Sequence, residues 1–103
     1  VADAAGDTDR RLDMLVSAAA ELRSAWTTSE ARCVEWTGLF LSEVDLDAQR
    51  DDIPAAVAGA DSIESAATAL SVNPPAHLPS EIEWQAIREH ARGVVELTGR
   101  LAV

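Results

Sequence analysis

Apolar residues recur along the first third of the chain at a strict seven-residue spacing. One row consists of Leu12, Ala19, Trp26, Cys33 and Phe40, and a second row, three residues after each of the first four, consists of Leu15, Leu22, Ser29 and Trp36. Such a/d spacing places all of these side chains on one face of an α-helix, called here the heptad stripe. The stripe predicts a first helix over about 8–43, after a loose leader over 1–7.

The alternative is a first helix that bends or breaks near residue 27. Thr27 and Glu30 have the spacing of a capping box, and Thr27, Thr28 and Gly38 are weak helix formers. The heptad stripe nevertheless keeps its phase through these residues, which favours one long helix buried against its neighbours. An unbent first helix exceeds its partners in length, so part of the stripe would stay uncovered as a dimerisation or partner surface.

Two more helices are predicted downstream. Asp52-Ile53-Pro54 is typical of a helix start, and apolar residues three or four apart extend this helix to about 71. The three prolines of 74–79 then exclude a helix. Ser80 and Glu83 form a capping box ahead of an amphipathic helix over about 80–102. The sequence therefore predicts one all-α domain, an antiparallel bundle of three to four helices.

Composition agrees with close helix packing. Alanine supplies 20 of the 103 residues, whereas tyrosine is absent and there is a single phenylalanine. Small side chains let helices approach closely, and the shortage of aromatic and alternating β-branched residues disfavours sheets.

The charge balance narrows the choice of partners. The chain has 18 acidic residues against 8 arginines and no lysine, for a net charge of −10. This negative field disfavours binding to nucleic acid or to an anionic membrane, and no apolar run is long enough to span a bilayer. It suits a basic protein partner, or solubility alone.

Cysteine usage indicates the compartment. Cys33 is the only cysteine, so the chain has no internal disulfide, which favours a reducing compartment such as the cytoplasm. Residues 1–11 are too polar for a signal peptide. Secretion stays open, since a helical protein needs no disulfide.

Residues with catalytic or metal-binding chemistry are few. His77 and His90 lack the repeated Glu-x-x-His pairs of a di-metal bundle, and the acidic stretch 45–52 lacks the glycine and glutamate of a calcium loop. Cys33 occupies an a position, where a small buried thiol is inert. We therefore expect no metal, no cofactor and no enzyme activity.

The stretch Gly59-Ala60-Asp61-Ser62-Ile63 resembles the segment of acyl carrier proteins whose serine bears a phosphopantetheine arm. The resemblance implies a carrier function with Ser62 as the modified residue, exposed at the start of a helix. The apolar spacing from Ile53 to Leu70 instead predicts that Ser62 lies mid-helix, as an ordinary residue on the polar side. We prefer this second interpretation.

The stretch Trp36-Thr37-Gly38 resembles the Trp-x-Gly motif of the WXG100 family, small helical hairpins exported by type VII secretion systems. The resemblance implies a motif between two long helices and an exported protein. Trp36 is also well explained as a packed d-position residue of the heptad stripe, which is the interpretation we prefer.

The preferred function is that of a small acidic protein–protein interaction module. It could neutralise a basic toxin, serve as an accessory subunit or associate with itself as a homodimer. The predicted contact residues are the large aromatic ones, which are typical of interface hot spots: Trp26, Trp36, Phe40 and Trp84.

Overall fold

The computed structural model describes residues 4–101, which form four α-helices and, within that range, no strand. The helices are α1 (Ala4–Phe40), α2 (Ile53–Ala58), α3 (Ile63–Ala69) and α4 (Glu81–Leu101). The predicted all-α bundle with a long first helix is confirmed. Those parts of the predicted leader and last helix that fall on 1–3 and 102–103 lie outside the described residues.

Helix α1 is continuous through residues 27–30. The hydroxyl of Thr27 donates a hydrogen bond to the carbonyl of Arg23 one turn earlier, at 3.0 Å, and does not cap a new helix. Residues 4–7, predicted to be a loose leader, are already helical. The helix ends at Phe40, before the predicted limit of 43, and an irregular connection leads to α2.

The predicted helix over 52–71 is two short helices, and its predicted continuity is wrong. The N–H of Gly59 still donates to the carbonyl of Ala55, but the chain then leaves the helix. Ser62 is extended (φ −149°, ψ 166°) and caps α3 by accepting the N–H of Ser65 at 3.2 Å. Apolar spacing hid this break because Ala60, within it, is buried.

Helix α4 begins as its capping box predicts. The N–H of Glu83 donates to the Ser80 hydroxyl at 3.2 Å, and the N–H of Ser80 donates to the Glu83 carboxylate at 3.4 Å. Glu81 in the first turn and Arg100 in the last turn complement the helix dipole. The helix buries a single face: Trp84, Ile87, Ala91 and Val94.

The core lies where α2, α3 and α4 pack on the C-terminal half of α1. Its α1 side consists mainly of Cys33, Val34 and Thr37, all at most 2% exposed. The indole N–H of Trp84 donates to the carbonyl of Asp61 at 3.0 Å and so ties α4 to the α2–α3 turn. The indole N–H of Trp26 donates to the Thr98 hydroxyl at 2.7 Å, which fixes the last turns of α4 against α1.

The molecule is elongated because α1 extends beyond the other helices. Its radius of gyration is 18.3 Å and its extents are 68 × 28 × 18 Å, whereas a compact domain of this length has a radius near ~13 Å. A helix of 37 residues is about 56 Å long. Residues 26–101 are called the helical body below, and residues 4–25 the projecting segment.

Candidate functional site

The projecting segment exposes the first half of the heptad stripe. Every side chain from Asp7 to Ala25 is exposed, and no helix of the described chain packs along them. The prediction that Leu12 and Ala19 are buried against the other helices is therefore wrong. Heptad spacing was right about which residues share a face, but the face is covered only from Trp26 onward.

Five residues form the surface of interest, called the exposed stripe: Leu12, Leu15, Val16, Ala19 and Leu22. Its four large side chains are between 42% and 70% exposed. Val16 was missed by the a/d rows because it occupies the e position beside them. Its signal was its place four residues after Leu12, one helical turn along the same face.

The cover supplied by α4 stops at the start of the helical body. Thr98 and Leu101 lie beside Arg23 and Trp26 at the near end of α4, and His90 reaches the Ser29 carbonyl further along α1. Helix α4 thus runs antiparallel to α1, and its last described turn reaches about as far as Arg23. The exposed stripe continues the same face for another three turns.

The four aromatic residues predicted as contacts do not come together on one surface. Trp84 is 3% exposed and belongs to the core, whereas Trp26, Trp36 and Phe40 are half-buried and pack against it. Trp26 sits at the border with the projecting segment. Trp36 and Phe40 lie about three and four turns away, towards the other end of α1.

Trp36 forms the second surface feature. Its ring centroid lies 6.3 Å from that of His90, with the planes tilted by 55°. Together with Arg32, Glu35 and the exposed Leu39 it lines a shallow pocket of about 370 Å³. This pocket is open and mixed in polarity, which suits the rim of a protein contact more than an enclosed ligand.

The two histidines show no metal centre in the described part of the chain. The Nε2 atom of His90 lies 2.9 Å from the Ser29 carbonyl and, facing an oxygen that only accepts, carries the proton there. His77 lies in the proline-rich connection. Across residues 4–101 no three His, Cys, Asp or Glu side chains are grouped so that they could hold a metal ion.

Cys33 lies in the core, and we expect its thiol to be inert. Its side chain is 1% exposed. Burial raises the pKa of the thiol to about 11; the neighbouring Thr37 hydroxyl opposes this rise, and the nearby Glu30 charge adds to it. Little thiolate is therefore present at pH 8, and reagents reach it only when the core opens. Labelling should be slow in the native protein and fast in denaturant.

The matched control for this labelling is a single-thiol variant carrying Ser17→Cys together with Cys33→Ala. Ser17 is exposed on α1, so its replacement should be labelled at the rate of a free thiol. If native Cys33 reacts as fast as this control, the thiol is accessible and the packing described for it is contradicted.

Ser62 opens a helix, which corrects the prediction that it lies mid-helix. Its side chain is half-buried, and its hydroxyl accepts the Ser65 N–H and lies 3.2 Å from the Ser65 hydroxyl. The preceding Asp61 has a carboxylate 3.6 Å from Arg88. Capping α3 is thus one structural role of the Ser62 hydroxyl.

The Trp36-Thr37-Gly38 stretch lies in the last turns of α1. Thr37 is fully buried. A Cβ atom at Gly38 would come within 3.3 Å of the Leu46 side chain, so glycine lets the following connection fold back closely onto α1. That connection leads to two helices of six and seven residues.

No helix within 4–101 combines the length and apolarity needed to cross a membrane.

Comparison with known proteins adds no family to this picture. No family model, no curated protein and no solved structure matches the chain.

Proposed function

We propose that this chain is a helical protein–protein interaction module that binds its partner through the exposed stripe. The observation that carries the proposal is the exposure of Leu12, Leu15 and Val16 on one side of a helix that extends beyond the body. Single exposed leucines are common on protein surfaces, but a contiguous apolar face of several turns marks an interaction site.

The expected mode of binding is helix against helix, or helix in a groove. In both modes residues at i, i+3, i+4 and i+7 are the anchors, which is the spacing of Leu12, Leu15, Val16 and Ala19. Burying one large aliphatic side chain contributes about 1.5–3 kcal/mol. The exposed stripe has four such side chains, Leu12, Leu15, Val16 and Leu22. Their burial is enough to offset a substantial part of the free-energy cost of association.

The charge of the helical body suits a second, basic protein partner that binds apart from the exposed stripe. Residues 26–101 carry 13 acidic and 5 basic residues. A basic surface on the partner would be attracted to this body and would associate faster at low salt. The half-buried Trp26, Trp36 and Phe40 are the proposed contacts of such a partner.

A photo-crosslinking amino acid placed at Leu15 tests the proposal in cells that make the full chain. The expected result is a discrete crosslinked product, because the probe lies in the middle of the exposed stripe. The same amino acid at Ser17, two residues away and outside the stripe, is the matched control and should give little product. Equal crosslinking from both positions, or none from Leu15, would contradict the proposal.

A carrier protein is the second candidate function, and one observation favours it. Ser62 lies at the start of a helix and follows Gly59-Ala60-Asp61, which is the setting that acyl carrier proteins give their modified serine. The test is the intact mass of the chain after co-expression with a phosphopantetheinyl transferase. A phosphopantetheine mass that disappears in Ser62→Ala would support a carrier, and an unchanged mass would contradict it.

A further inference from the structure

We propose that the occupant of the exposed stripe is the exposed stripe of a second copy of this chain, bound antiparallel. The inference rests on the proposed function, since it names the partner of that same surface. Three features support it: the length of α1 that stays uncovered, the side chains that an antiparallel pairing brings together, and the different charges of the projecting segment and the helical body.

A second projecting segment covers the length of α1 that α4 leaves exposed. Helix α4 reaches α1 beside Arg23 and Trp26 at its last described turn. The uncovered described residues, 4–22, number 19 and span about 28 Å of helix. The projecting segment of a second copy is an exposed helix that spans this length. When Leu12 faces Leu15 of the second copy, Ala4 of that copy lies opposite Arg23.

The side chains of the two stripes are complementary when they pair antiparallel. In this register a positions face d positions, as antiparallel coiled coils require. Leu12 packs against Leu15 of the second copy, Ala19 packs against its Thr8, and the two-fold axis repeats both layers. At the flanking positions Asp9 faces Val16 and Arg11 faces Ala18. The pairing therefore places no like charges opposite each other beside the apolar seam.

The projecting segment and the helical body differ in charge. The projecting segment is nearly neutral, with the three arginines Arg10, Arg11 and Arg23 among four acidic residues, whereas the helical body carries a formal charge of −8. A strongly basic partner would thus be drawn to the body and not to the stripe. A second projecting segment can approach the stripe without electrostatic repulsion.

Charge also selects the antiparallel orientation. In the register given above, the two bodies, each beginning at Trp26, start about 37 Å apart along the seam. This separation exceeds the Debye length of about 8 Å at physiological salt, so their mutual repulsion is screened. A parallel pair would instead place two bodies of charge −8 side by side.

The test begins with the molar mass of the full chain, measured by sedimentation equilibrium over a wide concentration range. The expected result is a reversible rise from the 10.9 kDa of one chain towards twice that value. Leu15→Glu should abolish the rise, whereas Ser17→Glu, an equal charge change outside the stripe, should leave it intact. All three tryptophans lie in the helical body, so their fluorescence shows whether the body of each variant stays folded.

Orientation is measured with a spin label at Ser24→Cys in a Cys33→Ala background. The antiparallel register separates the two labels by about 30 Å along the seam, whereas a parallel pair would bring them within one interhelical distance. A short distance between the two labels would contradict the antiparallel orientation. A dimer that persists in Leu15→Glu would show that the exposed stripe is not the interface. If the purified chain stays monomeric while Leu15 still crosslinks to another protein, the partner is not a second copy. The proposed function would then still stand.

Discussion

Replacing Ile87 with alanine is expected to lower the free energy of unfolding by about 2–5 kcal/mol. The same replacement at Ile82, five residues earlier on the same helix, is expected to change it by less than about 0.5 kcal/mol. Ile87 is 1% exposed and lies in the core, whereas Ile82 is 84% exposed. The difference arises because only the first change removes packed methyl and methylene groups and leaves a cavity.

Both variants make the same isoleucine-to-alanine change in the same helix, so the atoms removed and the change in helix propensity are the same. Alanine is the better helix former, so its small favourable contribution is present in both variants and cancels in the comparison. The measurement is denaturant unfolding followed by tryptophan fluorescence, in a Leu15→Glu background so that association does not contribute. Equal losses at the two positions would contradict the face that α4 is described as burying.

The sequence was most informative where local signals and periodicity agreed. Helix α4 has a capping box at Ser80 and Glu83 and an amphipathic pattern behind it, and both its start and its buried face were predictable. Helix α1 was predictable as one continuous helix because its heptad phase outweighs the weak helix formers at Thr27 and Thr28.

The break between α2 and α3 was not predicted because apolar spacing reports burial and not backbone continuity. Val57, Ala60 and Ile63 all point into the core although the chain leaves the helix between them. The signal that could have located the break is local: Gly59 ends α2, and Ser62 with Ser65 forms the cap of α3. Such short polar signals compete with a periodic pattern and are easily overruled by it.

The sequence predicted that an unbent first helix leaves part of the heptad stripe uncovered, but not which part. Periodicity states which residues share a face, and only the paths of the other helices decide what lies on that face. The 21 residues of α4 give about 32 Å of cover, which ends near Trp26 and leaves Leu12 and Leu15 exposed. The candidate site is therefore the part of α1 that extends beyond the helices packed on it.

Replacing Arg50 with methionine is expected to lower the free energy of unfolding by about 1–3 kcal/mol. Its guanidinium Nε donates to the Glu30 carboxylate at 2.8 Å, and the Glu30 side chain is only 10% exposed. Removing the arginine leaves a carboxylate in the core without its partner. The loss falls short of that for a fully buried pair because the Arg50 side chain is 41% exposed and water partly replaces it.

The matched control is Arg100→Met, which breaks the ion pair with Glu96. That pair is equally short, at 2.7 Å, but both side chains are about two-thirds exposed. Exposed pairs one turn apart on a helix contribute only about 0.3–0.5 kcal/mol.

A double-mutant cycle isolates the interaction between Glu30 and Arg50. Glu30→Gln removes the buried charge, so Arg50→Met should cost less in that background than in the original chain. Denaturant unfolding of the four proteins measures this coupling. If the two losses simply add, Glu30 and Arg50 act independently, and their ion pair does not hold the connection to α1.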